Sequence, residues 1–153
     1  MNASLAVNRP VAKPRSMAGD RLEEALSVLV VEDDQLIQSV VEEALSDGGF
    51  VLNIAVSGEE ALTLLSGTNS GYRALITDIT LGGTIDGWQV AKHARELDPA
   101  FPVIYITDGN ADQWAAEGVP NSVLLIKPFA SAQLVTAISQ LLNDTRSPLT
   151  APP

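Results

Sequence analysis

The sequence predicts an α/β fold, a doubly wound five-stranded parallel sheet covered by helices on both faces. Two observations lead to this prediction. Five apolar runs of strand length alternate with segments in which apolar residues recur at helical spacing. Strands that are apolar along their whole length need cover on both faces, which helices packed against a parallel sheet provide.

The first half of the pattern predicts two strands and two helices. The strands are VLVV at 28–31 and FVLNIAV at 50–56. The first helix begins at residue 35 and stops at the Asp-Gly-Gly run, and its expected apolar face consists of Leu36, Ile37, Val40, Val41, Ala44 and Leu45. Ser57 is placed to cap the second helix, whose first turn carries Glu59 and Glu60. We interpret this glutamate pair as a solvated helix face.

The second half predicts three strands and three helices. The strands are ALIT at 74–77, PVIYIT at 102–107 and SVLLI at 122–126. Helices are predicted at 86–97 and, more weakly, at 111–117. A last helix at 131–143 is marked by Leu134, Val135, Ile138, Leu141 and Leu142.

The 153 residues amount to one domain of ordinary size, which we place at 27–143. Residues 1–26 are interpreted as a flexible arm because prolines and mixed polar residues interrupt them, with docking through their basic residues as the alternative. Residues 144–153 are rich in proline and are interpreted as a disordered tail. Because the length leaves no room for an output domain, we expect a single-domain protein.

Composition argues against several classes of function. The net charge of −10 disfavours binding to nucleic acid or to an anionic membrane. The absence of cysteine excludes disulfides, thiolate catalysis and thiolate metal sites. No apolar run reaches the ~18 residues of a membrane span, and no signal peptide is visible. We therefore expect a cytoplasmic protein.

Four of the predicted strands end in a charged or hydroxyl side chain. In chain order these groups are Glu32-Asp33-Asp34, Asp78, Thr107 and Lys127. Parallel strands place their carboxyl ends along one edge of the sheet, so the groups are expected to converge there. Taken singly, each has a plainer interpretation, such as Asp34 as a helix cap or Lys127 as a surface amine at a strand end.

Charge favours convergence around a cation. Glu32, Asp33 and Asp78 bring three negative charges against the single positive charge of Lys127. Two carboxylates ~4 Å apart repel by ~4 kcal/mol at an effective dielectric near 20. Oxygen ligands without histidine or cysteine favour a hard ion, of which Mg²⁺ is the usual one.

Magnesium held by carboxylates usually accompanies a phosphoryl group. The chain has no Walker-type or GxGxxG loop that would bind a nucleotide. We therefore expect the phosphoryl group to be attached to the protein itself. Asp78 is the best acceptor, with Lys127 and the Thr107 hydroxyl holding the phosphoryl oxygens.

The stretches VLVVEDD, LITDITL, VIYIT and LLIKPF resemble the receiver domain of bacterial two-component response regulators, over about residues 27–143. LITDITLGGTIDGWQVA is similar to a subgroup of stand-alone receivers with Leu-Gly-Gly in place of the usual Met-Pro. The resemblance implies a flavodoxin-like (βα)5 receiver fold. It implies Asp78 as phosphoacceptor, Lys127 as phosphate-binding lysine and Thr107 as switch hydroxyl. It also implies a cis Lys127–Pro128 bond and a glycine at Gly87 that lets the loop return into the third helix.

For the metal, the resemblance implies Asp33 as a direct Mg²⁺ ligand and Glu32 as one that acts more through water. Asp78 and the backbone carbonyl of Thr80 complete the implied set. Two residues depart from the family pattern. Leu124 stands where the aromatic switch residue falls, and Asp108 stands where a small residue is usual.

The resemblance implies a signalling protein rather than an enzyme. Asp78 would receive a phosphoryl group from a histidine kinase or histidine phosphotransfer protein, with Mg²⁺ bound, and the signal would pass to a downstream protein target. One alternative is a receiver-like adaptor that works without phosphorylation, motivated by Asp108 and Leu124. The other is a phosphohydrolase with an aspartate nucleophile, although Glu32-Asp33-Asp34 lacks the residue arrangement that such enzymes need.

Overall fold

The computed structural model describes residues 27–67, 71–109 and 111–146, with side chains described as far as residue 143. The predictions made for residues 1–26 and 147–153 lie outside these ranges. Five strands are present, which we number β1 Ser27–Val31, β2 Val51–Ala55, β3 Ala74–Asp78, β4 Val103–Thr107 and β5 Val123–Ile126. The helices are α1 Gln35–Asp47, α2 Gly58–Ser66, α3 Gly87–Leu97, α4 Trp114–Glu117 and α5 Ser131–Arg146.

All the predicted strands and helices are therefore confirmed within the described residues. The weakly predicted helix at 111–117 consists of a 3₁₀ turn, Ala111–Gln113, followed by the four residues of α4. So short an α-helix leaves little room for a repeating apolar pattern. The last helix continues to Arg146, beyond the residue at which its apolar pattern ends. No helix among the described residues is long and apolar enough to cross a membrane.

The five strands form one parallel sheet in the order β2-β1-β3-β4-β5. Successive side chains of a strand point to opposite faces of the sheet, so the strands contribute to two hydrophobic cores, one on each face. One core joins residues such as Leu29 and Leu75 to α2 and α3, and the other joins Val30 and Ile76 to α1 and α5. The predicted doubly wound α/β fold, with helices on both faces, is confirmed.

The predicted cover on both faces is complete for the three central strands and only partial for the edge strands, which still contribute side chains to both cores. β1, β3 and β4 are almost wholly buried. In contrast, Val51 of β2 and Ile126 of β5 each leave 53% of their surface exposed. The reason is that an edge strand has a neighbouring strand on one side only, so solvent reaches part of its side chains.

The apolar face predicted for α1 is also too broad. Val41 and Leu45 are fully buried, whereas Leu36 is 78% exposed and Val40 38% exposed. At about 100° of rotation per residue, Val41, Ala44 and Leu45 share the face that meets the core, whereas Leu36 and Val40 lie beyond the margin of that face. The N-terminus of α1 follows the prediction, because the Asp34 carboxylate accepts hydrogen bonds from the N–H groups of Leu36 and Ile37.

The strand order places a crevice at the middle of the sheet. The chain leaves β1 toward β2 on one side and then crosses β1 to reach β3 on the other side, so the connections at the carboxyl ends of β1 and β3 diverge. Open parallel sheets bind ligands at such a switch point. The residues that follow β1 and β3 are therefore the ones to examine for a site.

Candidate functional site

Three carboxylates meet at the crevice. Glu32 and Asp33 directly follow β1, and Asp78 is the last residue of β3. One carboxylate oxygen from each lies within 4.8 Å of the others. The expected convergence of these acids, which are far apart along the chain, is present in the structure.

Lys127 supplies a positive charge at the same place. Its backbone N–H donates to the carbonyl of Thr107 at 2.7 Å, which continues the pairing of β4 with β5 by one residue. The Nζ atom lies 3.1 Å from Asp78 Oδ2 and 3.4 Å from Glu32 Oε1. Burial lowers the pKa of Lys127, but the attraction of Asp78 and Glu32 outweighs it and raises that pKa above its ordinary value.

Glu32 is the most deeply buried acid of the cluster. The residue is 1% exposed, and its Oε2 accepts a hydrogen bond from the Asp34 N–H at 3.1 Å. Its Oε1 accepts no hydrogen bond from any described residue, although Lys127 lies within ion-pair distance. Burial first, and then the negative charge of Asp78, raise the pKa of Glu32 from 4.5 to about 7. A buried, incompletely satisfied oxygen beside two further carboxylates fits a small divalent cation with oxygen ligands, such as Mg²⁺.

Asp33 and Asp78 are both tied to the loop that follows β3. The exposed Asp33 accepts a hydrogen bond from the Gly82 N–H through Oδ2 at 3.2 Å. Asp78, which is 7% exposed, accepts one from the Thr80 N–H through Oδ1 at 3.3 Å. The backbone of Thr80 therefore lies directly beside the acid cluster.

Gly87 allows this loop to return against the strand. Its N–H donates to the Ile79 carbonyl at 2.9 Å, and a Cβ atom on Gly87 would overlap the Asp78 carbonyl oxygen. A larger residue would push the start of α3 away from the acid cluster. The Lys127–Pro128 bond on the other side of the site is cis, as the resemblance implied.

Thr107 ends β4 at the same edge of the sheet. It is 1% exposed, and its Oγ1 accepts a hydrogen bond from the Gly109 N–H at 3.1 Å. Since Asp78 is paired in register with Ile106, Thr107 lies one residue further along the neighbouring strand. The structure thus brings Glu32, Asp33, Asp78 and Lys127 into one cluster, with Thr107 at the next strand end.

The two departures from the family pattern differ in burial. Asp108 is exposed to solvent, whereas Leu124 is half-buried and packs against the core on the α2 and α3 side. Leu124 is paired in register with Tyr105, whose ring lies 4.9 Å from that of Trp88. The Tyr105 hydroxyl accepts a hydrogen bond from the Val119 N–H at 3.1 Å. An aromatic residue is therefore buried at this level of the sheet, but on β4 rather than β5.

Sequence reasoning missed the contacts of the two glutamates in α2. Glu59 Oε2 accepts hydrogen bonds from Thr84 N at 3.0 Å and Thr84 Oγ1 at 2.8 Å. These bonds lower the pKa of Glu59. Glu60 Oε1 accepts one from the Val56 N–H at 2.9 Å. Both glutamates are exposed, as the interpretation of a solvated helix face predicts, but each also accepts hydrogen bonds. Nothing in the sequence links residue 59 to a partner 25 positions away.

Comparison with known proteins agrees with this geometry. The family model for the response regulator receiver domain matches residues 28–139. A response regulator receiver protein from Sinorhizobium medicae WSM419 has 45% sequence identity and a TM-score of 0.74, over 78% of this chain and 96% of that one. A second solved structure, of a putative response regulator from Chloroflexus aurantiacus J-10-fl, has 32% identity and a TM-score of 0.67, over 76% and 97%.

Among curated relatives, the transcriptional regulatory protein HprR of Escherichia coli strain K12 is 30% identical over 121 residues. That match covers 78% of this chain and 52% of HprR. The response regulator MprA of Mycobacterium sp. strain KMS is 29% identical, with 77% and 51% covered. The chain therefore spans about half the length of these relatives.

Proposed function

Because the chain belongs to the response regulator receiver domain family, we propose that it accepts a phosphoryl group on Asp78 in a Mg²⁺-dependent reaction. The observation that carries the proposal is the ammonium group of Lys127, held 3.1 Å from the Asp78 carboxylate and beside the incompletely satisfied carboxylate of Glu32. This arrangement combines a nucleophilic carboxylate with a cation that can hold phosphoryl oxygens.

The transfer step follows from these groups. An oxygen of Asp78 attacks the phosphorus of a phosphohistidine, the P–N bond breaks with its electron pair going to the imidazole, and an acyl phosphate forms. Lys127, already at the carboxylate, then pairs with the phosphoryl oxygens. We assign the hydroxyl of Thr107 to the same oxygens as a hydrogen-bond donor; its Oγ1 meanwhile accepts a hydrogen bond from the Gly109 N–H.

We assign the metal to Glu32, Asp33, Asp78 and the backbone carbonyl of Thr80. When bound, Mg²⁺ supplies positive charge that offsets the carboxylates and the phosphoryl oxygens. The chain's own contribution is to hold this oxygen set in place. Glu32 is fixed by burial and by the Asp34 N–H, while Asp33 and Asp78 are fixed by hydrogen bonds from the loop after β3.

We further propose that the domain, residues 27–143, signals through protein contacts rather than by turning over a substrate. The donor would be a histidine kinase or histidine phosphotransfer protein in the cytoplasm, and the readout a downstream protein. The Sinorhizobium medicae receiver protein, 96% of whose chain is covered by the match, supports a stand-alone receiver. The match covers only 52% of HprR, so an attached output domain is the alternative organisation.

Phosphorylation by a small-molecule phosphodonor tests the proposal. We expect purified protein incubated with acetyl phosphate and Mg²⁺ to gain one phosphoryl group by intact-protein mass spectrometry. Asp78→Asn and addition of EDTA should both abolish the gain. Asp98→Asn is the matched control, because Asp98 follows α3 at the opposite edge of the sheet and caps only a local turn. A folded, magnesium-treated wild type that gains no phosphoryl group would favour the phosphorylation-independent adaptor.

A further inference from the structure

The segment between β3 and α3, residues 79–86, carries two of the groups that contact the acid cluster. We call this segment the acceptor loop. Its Thr80 N–H donates to Asp78, and its Gly82 N–H donates to Asp33. Its far end is fixed, because Asp86 caps α3 through a capping box with Gln89. The middle of the loop needs a separate anchor.

Glu59 in the first turn of α2 provides this anchor. A single carboxylate oxygen, Oε2, accepts both the backbone N–H and the hydroxyl of Thr84. The loop approaches so closely at Gly83 that a Cβ atom there would lie 3.0 Å from Glu59 Oε1. Gly83 also has a φ of +90°, a conformation that glycine adopts readily.

The residue before Glu59 supports the same contact. A Cβ atom on Gly58 would overlap the carbonyl oxygen and side chain of Ile85. Ile85 in turn packs against the core on the α2 and α3 side. The start of α2 therefore meets the acceptor loop at Gly83, Thr84 and Ile85.

We propose that Glu59 is a positioning residue for the metal site. By holding Thr84, it fixes the acceptor loop so that the Thr80 carbonyl and the Gly82 N–H stay beside the acid cluster. Glu59 acts through the loop, because its carboxylate is committed to Thr84. The inference rests on the proposed function, since it takes the acid cluster to be the Mg²⁺ site.

The test compares two adjacent glutamates in full-length, ¹⁵N-labelled protein. Glu59→Gln weakens the anchor and Glu60→Gln does not touch the loop, while both remove one negative charge from the same helix turn. Mg²⁺ titration followed by amide shifts gives the dissociation constant, and amide hydrogen exchange without Mg²⁺ reports on the loop. We expect Glu59→Gln to raise the dissociation constant by about three- to tenfold, because two charge-assisted hydrogen bonds lose their charge. Glu60→Gln should change it by less than about twofold.

Thr84→Val offers a second, milder variant that keeps the Thr84 N–H and removes the hydroxyl donor. We expect a smaller rise in the dissociation constant, and a combined effect with Glu59→Gln that is less than additive. Faster exchange of the Thr84 amide in Glu59→Gln, and not in Glu60→Gln, supports the anchor whether or not Mg²⁺ is added.

The two proposals fail in different ways. If the amide chemical shifts of the wild type do not change on addition of Mg²⁺, the metal assignment is overturned, and the positioning role with it. A wild type that binds Mg²⁺, together with equal affinities in Glu59→Gln and Glu60→Gln, overturns the positioning role alone. Unchanged exchange of the Thr84 amide in Glu59→Gln overturns the anchor itself.

Discussion

Among the described carboxyl groups, Glu32 is the one whose ionisation burial and neighbouring charge oppose most strongly. Its carboxyl is removed from water and faces Asp78, and both effects disfavour the charged form. Lys127 and the Asp34 N–H offset this only in part. Without a cation, the folded protein therefore keeps a proton on Glu32 at pH values where the unfolded chain has released it.

This difference makes stability depend on pH. The folded pKa of Glu32 lies above its unfolded value, so the free energy of unfolding falls as pH rises from 4.5 toward about 7. In magnesium-free buffer we expect Glu32 to contribute a fall on the order of 2 kcal/mol over this range. Urea unfolding at a series of pH values measures it. Glu32→Gln, which stays neutral, should show a shallower slope, and identical slopes for the two proteins would contradict the prediction.

At the scale of elements, the start of α1 gives three consecutive acids three different surroundings. Glu32 is the buried member of the acid cluster, Asp33 accepts a hydrogen bond from the Gly82 N–H, and Asp34 caps the helix. The backbone turn between β1 and α1 sets these directions. The three neighbouring acids therefore have different roles: two belong to the acid cluster, and the third stabilises the helix.

The helix cap can be separated from the metal ligands by mutation. Asp34→Ala removes the acceptor for two helix N–H groups, so we expect a loss of about 1 kcal/mol in unfolding free energy. Asp34→Asn should keep most of that stability, since asparagine also caps well. Chemical denaturation measures both variants. If Asp34→Ala were as stable as wild type, the cap would contribute nothing to the fold.

The elements themselves follow from local patterns, whereas their exposure does not. Apolar runs and helical spacing predict the five strands and five helices of the described residues, because those signals repeat within a few residues. The exposure of Val51 and Ile126 depends on which strands lie at the sheet edges, which no local pattern encodes. The contact of Glu59 with Thr84 likewise arises from packing between segments distant in the chain.

At the scale of the molecule, the sheet order brings three strand ends to one crevice. Asp33, Asp78 and Lys127 could be predicted to meet because parallel strands share an edge and because the acids need a cation. The structure places all three there, with Glu32. What sequence reasoning could not supply is the loop geometry between them, since the bond of Gly82 to Asp33 depends on the conformation of eight residues.

Binding of Mg²⁺ should stabilise the whole fold. A ligand held by the native state at about 100 times its dissociation constant adds ~2.7 kcal/mol to the free energy of unfolding. We therefore expect the melting temperature to rise with Mg²⁺ in a thermal scan. The rise should be lost in Asp33→Ala and kept in Asp34→Asn, which retains the neighbouring site. A wild-type melting curve indifferent to millimolar Mg²⁺ would count against the metal assignment.

The cluster is assembled from groups separated by long stretches of polypeptide, with Asp78 and Lys127 49 positions apart and Asp33 and Gly82 equally distant. Any fragment ending before the fifth strand lacks the ammonium group, and any fragment starting at the first helix lacks two of the acids. Mg²⁺ affinity therefore reports whether the whole domain is folded. A truncated or partly folded molecule can keep individual helices but does not form the acid cluster.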